Sequence, residues 1–153
     1  MNRVETRLAE LGLTLPEPNA PVANYVPTVL SHGLLYISGQ VSSSAEGGVT
    51  GVVGAELSLE QGQAAARLCG INLLAQIRRA VDGDFARVRR IVRLGGFVQA
   101  GPDFFDIPKV INGCSDLMVD VLGDDGRHAR SAVGVYRLPL NYAVEVDAVV
   151  ELA

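Results

Sequence analysis

The chain has 153 residues, of which 48% are hydrophobic and 20% are charged, and its net charge is -4. This length predicts one domain, residues 1–153, with a full core. The acidic balance argues against a protein that binds nucleic acid through its overall charge. No run of about 18 uninterrupted apolar residues occurs, which argues against a membrane span. With only 20% charged residues, the composition favours a protein in which part of the apolar surface is buried between subunits.

The first part of the chain predicts a helix, a linker and a hairpin. Residues 3–12 have the pattern of a short amphipathic helix, and the proline-rich link 15–21 follows it. Residues 22–30 and 34–40 have the pattern of a β-hairpin. The stretch 42–54 is rich in Ser and Gly and predicts a mobile loop with a short strand near 50–53.

Helices alternate with strands in the rest of the chain. A capping box opens a long helix over 58–81, and a strand follows at 88–99. A second helix covers 106–123, between an early proline and a terminal glycine. The last strands are 131–138 and 143–152. This order predicts an α+β fold, a mixed β-sheet with two helices packed on one face.

The cysteines and the beginning of the chain bear on the compartment. Cys69 and Cys114 lie in apolar helical patterns and are interpreted as small buried residues. Neither has a CxxC spacing or a nearby histidine, so we predict no metal site. The first residues lack the apolar core of a signal peptide, and we expect a cytoplasmic protein.

The last two strands carry the clearest chemistry. Arg130 opens the first, and the second places Glu145, Asp147 and Glu151 on the face opposite its valines. A guanidinium binds a carboxylate through two parallel hydrogen bonds, and a glutamate can orient water. Alternatively, Arg130 pairs with Glu145 or Asp147 and holds the sheet together, an interaction of about 0–1 kcal/mol at a surface.

Four short motifs occur in order: YISGQ at 36–40, HARS at 128–131, RLP at 137–139 and VEV at 144–146. Together they resemble the YjgF-like family, the reactive-intermediate deaminase (RidA) superfamily, also called "endoribonuclease L-PSP". The resemblance implies a chorismate-mutase-like fold and a homotrimer whose sheets form a central barrel with clefts between subunits. It also implies hydrolysis of enamines or imines such as 2-aminoacrylate to a 2-keto acid and ammonia, without a cofactor.

The resemblance further implies roles for single residues. Arg130 corresponds to the arginine that binds the substrate carboxylate, and Glu145 to the glutamate that orients the attacking water. The other candidates would line the pocket: Tyr25, Ser38, Gly39 and Asn112. A structural explanation stays open for some of them, since Tyr25 suits a packing ring and Asn112 a helix interface. His128 is interpreted as a turn residue in preference to an anion ligand.

The chain also departs from the short deaminases of this family. Residues 1–15 form an additional helix and linker, Ala132 stands where a cysteine is common, and Asn24 precedes Tyr25 in place of proline. These departures indicate a long-form subgroup and leave the substrate open. Three hypotheses follow: a 2-iminobutanoate/2-iminopropanoate deaminase-like hydrolase, a non-catalytic or regulatory binder of small carboxylates, and an endoribonuclease or translation inhibitor. The acidic balance disfavours the third.

Overall fold

The computed structural model describes residues 2–18, 20 and 23–153. The helices are α1 (Arg3–Glu10), α2 (Leu59–Ala80) and α3 (Ile107–Leu122). The strands are β1 (Thr28–Ser31), β2 (Leu34–Val41), β3 (Val88–Gln99), β4 (Ala129–Val135) and β5 (Val144–Leu152). None of the helices in these described ranges is long and apolar enough to cross a membrane.

One five-stranded sheet forms the centre of the fold, with strand order β1-β2-β5-β3-β4. Strands β3 and β4 are parallel and are joined through α3, whereas the other neighbouring pairs are antiparallel. Helices α2 and α3 pack on one face of the sheet, and α1 packs against α3. The predicted α+β fold, a mixed sheet with two helices on one face, is confirmed.

Local signals in the sequence explain the two long helices. The Ser58 hydroxyl accepts a hydrogen bond from the Gln61 backbone N–H at 3.1 Å, and the Gln61 side chain accepts one from the Ser58 N–H at 2.8 Å. This is the predicted capping box, and it satisfies two amides that the first turn leaves without partners. The apolar stripes of α2 and α3 then face the sheet, and their main buried side chains are Ala65, Cys69, Leu73, Ile77, Val110, Ile111, Cys114 and Leu117.

Glycines allow α2 and α3 to approach each other closely. A Cβ atom on Gly113 of α3 would collide with the backbone carbonyl of Gln63 on α2. A Cβ on Gly70 of α2 would meet only side-chain atoms, the nearest being Leu117 Cδ2 at 2.9 Å. Backbone cannot give way as a side chain can, so Gly113 sets the separation of the two helices.

We expect Gly113→Ala to lower the free energy of unfolding by about 1–3 kcal/mol, the usual cost of overpacking. Gly70→Ala is the matched control, because side chains can rotate away there and alanine favours a helix by about 1 kcal/mol over glycine. Urea unfolding of both variants gives the comparison. Equal stability of the two variants would contradict the assignment of Gly113 as the limiting contact.

Several element boundaries differ from the sequence predictions. The first strand, predicted at 22–30, begins only at Thr28; residue 22 lies outside the described residues. Residues 26 and 27 instead bond to Ser38, whose backbone N–H donates to the Pro27 carbonyl at 2.9 Å and whose hydroxyl donates to the Val26 carbonyl at 2.8 Å. Helix α1 ends at Glu10 rather than at residue 12, and β4 lies at 129–135 rather than at 131–138.

In the stretch 42–54, isolated β-bridges at Thr50 and Val53 lie where the short strand was predicted. The Ser42 hydroxyl donates to the Val49 carbonyl at 2.8 Å. The Val53 N–H donates to the Gln99 carbonyl at 2.8 Å, and the Val53 side chain is fully buried. The bond to Gln99, and one from the Ser42 N–H to the Val144 carbonyl at 3.0 Å, tie the stretch to β3 and β5. Ser and Gly content reports backbone freedom and not the partners that the fold supplies.

The face of the sheet opposite α2 and α3 has a mixed surface, which we call the outer face. Glu145 and Asp147 of β5 lie on it, since their neighbours in the strand are buried against the helices. Apolar side chains on β1, β2 and β4 accompany them: Val29, Tyr36 and Val133 are 51%, 47% and 46% exposed. Apolar exposure towards both edges of one sheet face is typical of a surface that associates.

Candidate functional site

Arg130 and Glu145 lie on opposite faces of the sheet within one chain. Arg130 is aligned with Leu94 of β3, which is fully buried under the helices. Glu145 is aligned with Phe97 of the same strand, three positions further on. Side chains alternate between faces along a strand, so an odd separation puts the two residues on different sides. A single chain therefore does not bring the arginine and the glutamate together.

Helix α3 holds the guanidinium of Arg130. Its Nη1 donates to Asn112 Oδ1 at 2.8 Å and to Ser115 Oγ at 3.1 Å. Nη1 carries two hydrogens, so both are used by these acceptors. The hydrogens on Nε and Nη2 bond to none of the described residues. The Nε–H and one Nη2–H lie parallel along one edge of the guanidinium, and this arrangement can bind both oxygens of a carboxylate.

A second layer lies behind Ser115. Its Oγ is 2.8 Å from His128 Nε2, and His128 Nδ1 is 2.6 Å from the Gly126 carbonyl oxygen. A carbonyl can only accept, so Nδ1 carries the proton and Nε2 accepts from the Ser115 hydroxyl. Burial lowers the pKa of His128; the bond to Gly126 opposes this and the nearby Arg130 adds to it. The lowered pKa favours the neutral imidazole, which is the form that these two hydrogen bonds suit.

The structure does not show the alternative in which Arg130 pairs with a carboxylate of β5. Asp147 lies instead 3.8 Å from the guanidinium of Arg93 on the outer face. Across the described ranges, Arg130 forms no ion pair, and its partners are a neutral amide and a neutral hydroxyl. Its positive charge is thus available to an anion.

Glu145 occupies a restricted place on the outer face, beside Gly39 of β2. A Cβ atom on Gly39 would lie 2.7 Å from Glu145 Oε2, so only glycine leaves the carboxylate in this position. Burial raises the pKa of Glu145, and the negative charge of Asp147 raises it further. Desolvation and a like charge both disfavour the ionised form, and carboxylates so placed are common in active sites.

Three of the predicted pocket residues line one cavity of about 130 Å³: Tyr25, Ser38 and Gly39. The hydroxyl of Ser38 bonds to the Val26 carbonyl and so fixes the segment that carries Tyr25. Gln76 of α2 also lines this cavity. It is 2% exposed, and its Oε1 has no hydrogen-bond partner within the described part of the chain. The predicted residues thus fall into two groups, one around Arg130 and Asn112 and one around Gly39.

Sequence reasoning missed Ser115, Gln76 and the role of His128. Ser115 follows Asn112 by three positions, which places both side chains on one face of a helix. That spacing is a usable signal once Arg130 is known to lie opposite α3. Nothing in the local sequence pairs His128 with Ser115, because a turn and a helix must first be packed together.

Comparison with known proteins decides the family. A family described as "YjgF/chorismate_mutase-like, putative endoribonuclease" matches residues 5–152. The chain belongs to this YjgF/chorismate mutase-like family. The prediction made from the ordered motifs is therefore confirmed.

Individual family members are similar over nearly the whole chain. Protein TCP17 of Trypanosoma cruzi is 48% identical over 152 residues, which cover 98% of this chain and 94% of that protein. The crystal structure of Atu1372 from Agrobacterium tumefaciens, described as of unknown function, is 47% identical with a TM-score of 0.93, covering 99% and 93% of the two chains. A putative endoribonuclease from Shewanella oneidensis is 34% identical with a TM-score of 0.94, covering 99% and 100%.

Proposed function

We propose that this chain hydrolyses reactive 2-imino acids and their enamine tautomers to 2-keto acids and ammonia, at clefts between copies of itself. The observation that carries this proposal is Arg130, which is partly buried and pairs with no carboxylate among the described residues, and whose Nε and Nη2 hydrogens have no partner there. A small 2-imino acid carries a carboxylate of the matching shape.

The opposite placement of Arg130 and Glu145 supports a site shared by two chains. A substrate of a few heavy atoms cannot contact both residues through a sheet, so a neighbouring copy must supply one of them. The exposed apolar side chains Val29, Tyr36 and Val133 of the outer face support association through that face. We propose a homotrimer with the outer faces turned inward, because a cyclic assembly repeats the same cleft at each interface.

The proposed reaction adds water across the C=N bond. Arg130 binds the substrate carboxylate, and Glu145 of a neighbouring copy accepts a proton from water as its oxygen bonds to C2. The C=N electron pair moves to nitrogen, which takes the proton back from Glu145 and becomes an amino group. The hydroxyl proton then passes to this nitrogen as the ketone forms, the C–N bond breaks, and ammonia leaves with the electron pair of that bond. Orientation and exclusion of water supply most of the rate increase.

The pocket residues have supporting roles in this scheme. Gly39 leaves the space in which the Glu145 carboxylate sits, and Tyr25 and Ser38 line the adjacent cavity. Asn112 holds the guanidinium of Arg130 from α3. The reaction as written consumes only substrate and water.

A second candidate is a non-catalytic or regulatory protein that binds small carboxylates. One observation favours it: the Arg130 group is complete within one chain, whereas Glu145 lies on the other face. The endoribonuclease hypothesis has less support, because Arg93 of β3 lies 3.8 Å from the Asp147 carboxylate. The carboxylate of Asp147 offsets the charge of Arg93 and so reduces the positive charge available to a phosphate backbone.

The deciding experiment measures keto-acid release from freshly generated 2-aminoacrylate, with light scattering on the same sample. We expect release well above the uncatalysed rate from a protein with the mass of a trimer. A folded trimer that binds 2-oxobutanoate without releasing product would favour the carboxylate-binding protein. Salt-sensitive binding of single-stranded RNA without imine turnover would favour the nucleic-acid hypothesis.

The raised pKa of Glu145 predicts the acidic limb of the pH profile of kcat/KM. Glu145 must be ionised to accept the proton, so activity falls as pH drops through its raised pKa. Asp147→Asn removes the like charge and should move that limb to lower pH. The limb should stay above that of a free glutamate, because burial is the larger cause. Glu151→Gln, a change on the same face of β5, is the control and should leave the limb in place.

A further inference from the structure

We infer that Ser115 and His128 are positioning residues for Arg130, and that they fix the edge of its guanidinium that receives the substrate carboxylate. The inference rests on the proposed function and extends it to a hydrogen-bonded chain that runs from the Gly126 carbonyl through His128 and Ser115 to Arg130. The links measure 2.6, 2.8 and 3.1 Å.

The direction of every link in this chain is determined by chemistry. Gly126 offers a carbonyl, which only accepts, so His128 donates from Nδ1, and in the neutral ring Nε2 is then the acceptor. Ser115 donates its single hydroxyl hydrogen to Nε2 and accepts from Arg130, which can only donate. With the imidazole neutral, each group has a single role and none competes with its neighbour. The chain therefore favours one orientation of the Ser115 hydroxyl.

The Gly126 end of this hydrogen-bonded series is held by close packing. Gly126 is buried in the 3-10 turn Gly123–Gly126, which follows α3, and a Cβ there would collide with the backbone carbonyl of Met118. The turn thus packs directly on the last turns of the helix that carries Ser115. Two points on one rigid unit, Gly126 and Ser115, then set the position of the His128 ring.

The near end determines how Arg130 meets its ligand. Asn112 alone would leave the guanidinium free to rotate about a single hydrogen bond. Ser115 supplies the second acceptor on the same Nη1 atom and so fixes the plane of the group. Because the plane of the guanidinium is already fixed, ligand binding does not incur the entropic cost of ordering this long side chain. Because the Ser115 oxygen already accepts from a cation, we assign it this role rather than nucleophilic attack.

The first test compares ligand binding and turnover. Loss of one charge-assisted hydrogen bond predicts that Ser115→Ala and His128→Leu raise both KM for 2-aminoacrylate and Kd for 2-oxobutanoate about tenfold. The value of kcat should change by less than about twofold, since carboxylate binding is the same in ground and transition states. His128→Gln keeps an acceptor near the Nε2 position, and Ser115→Thr keeps the hydroxyl, so both should recover most of the affinity. A fall in kcat with KM unchanged would overturn the inference.

A double-mutant cycle separates positioning from a general structural role. In an Arg130→Ala background, Ser115→Ala should cause no further loss of 2-oxobutanoate affinity, because the group it orients is gone. A further tenfold loss in that background would overturn the inference. Thermal unfolding of each variant shows whether it is folded at the assay temperature.

A ligand-free readout keeps this inference separable from the proposed function. In the NMR spectrum of the free protein, the Arg130 Nε–H signal, assigned with Arg130→Lys, should be sharp in the wild type and broadened in Ser115→Ala. An unchanged signal would overturn positioning even if the protein is a deaminase. Absence of both turnover and 2-oxobutanoate binding, with the signal still dependent on Ser115, would overturn the proposed function and leave the positioning intact.

Discussion

Replacing Arg130 by alanine should lower kcat/KM for 2-aminoacrylate by about a thousandfold, and should raise Kd for 2-oxobutanoate to a similar degree. The physical reason is the loss of a bidentate, partly desolvated charge pair, for which truncating one partner costs about 2–5 kcal/mol. The geometry supports a large effect, because Asn112 and Ser115 occupy one end of the guanidinium and leave the Nε and Nη2 edge to the ligand. Keto-acid release and calorimetric titration measure the two quantities.

Two further variants sharpen this result. Arg130→Lys keeps the charge but loses the fork of parallel donors, so its activity should lie between wild type and alanine. Arg127→Ala is the matched control, since Arg127 lies just before the same strand, is 69% exposed and contacts only Asp124 among the described acidic residues. It should change activity by less than about twofold, as expected for an exposed pair. Equal losses in Arg127→Ala and Arg130→Ala would contradict a specific carboxylate anchor.

Replacing Glu145 by glutamine should lower kcat by about a hundredfold to ten-thousandfold, the usual contribution of a general base. Affinity for 2-oxobutanoate should change little, because the carboxylate anchor is elsewhere. Glu145→Gln should thus lower kcat and leave binding nearly unchanged, whereas Arg130→Ala should weaken binding. Glu151→Gln on the same face serves as control and should retain wild-type kcat.

Mixing the two inactive variants tests whether the site is shared. A chain with Arg130→Ala still supplies Glu145, and a chain with Glu145→Gln still supplies Arg130. In a randomly reassembled equal mixture, about a quarter of the clefts would combine both intact residues, if each cleft uses one of them from each neighbouring chain. Recovery of about a quarter of wild-type activity is the expected result. No recovery after subunit exchange, confirmed by mass, would contradict a site built from two chains.

Much of the fold follows from local features of the sequence. The capping box at Ser58 and Gln61 and the apolar stripes of α2 and α3 depend on neighbours within one or two turns, so they can be recognised before any tertiary contact is known. Alternation along β5 likewise separates the buried valines from Glu145 and Asp147. The ends of strands were less predictable where a residue distant in sequence takes up backbone hydrogen-bonding groups. Ser38, for example, bonds to the carbonyls of residues 26 and 27.

The composition of the site was only partly predictable. The ordered motifs of the family directed attention to Arg130, Glu145 and Gly39, and they identified the family correctly. They gave no indication that Ser115 and His128 lie behind the arginine. That arrangement depends on packing the turn 123–126 against α3, which sequence spacing does not encode in a readable form.

The sequence by itself determined the class of fold, the extent of the main helices, the family, and the presence of an arginine and a glutamate on the last two strands. Those features depend on local periodicity, on capping residues and on ordered motifs. Only the tertiary structure decided that the arginine and the glutamate lie on opposite faces, because this follows from the parallel register of β4 and the antiparallel register of β5 on the shared strand β3. Since a shift of one residue in either register would exchange the faces, no local pattern could settle it.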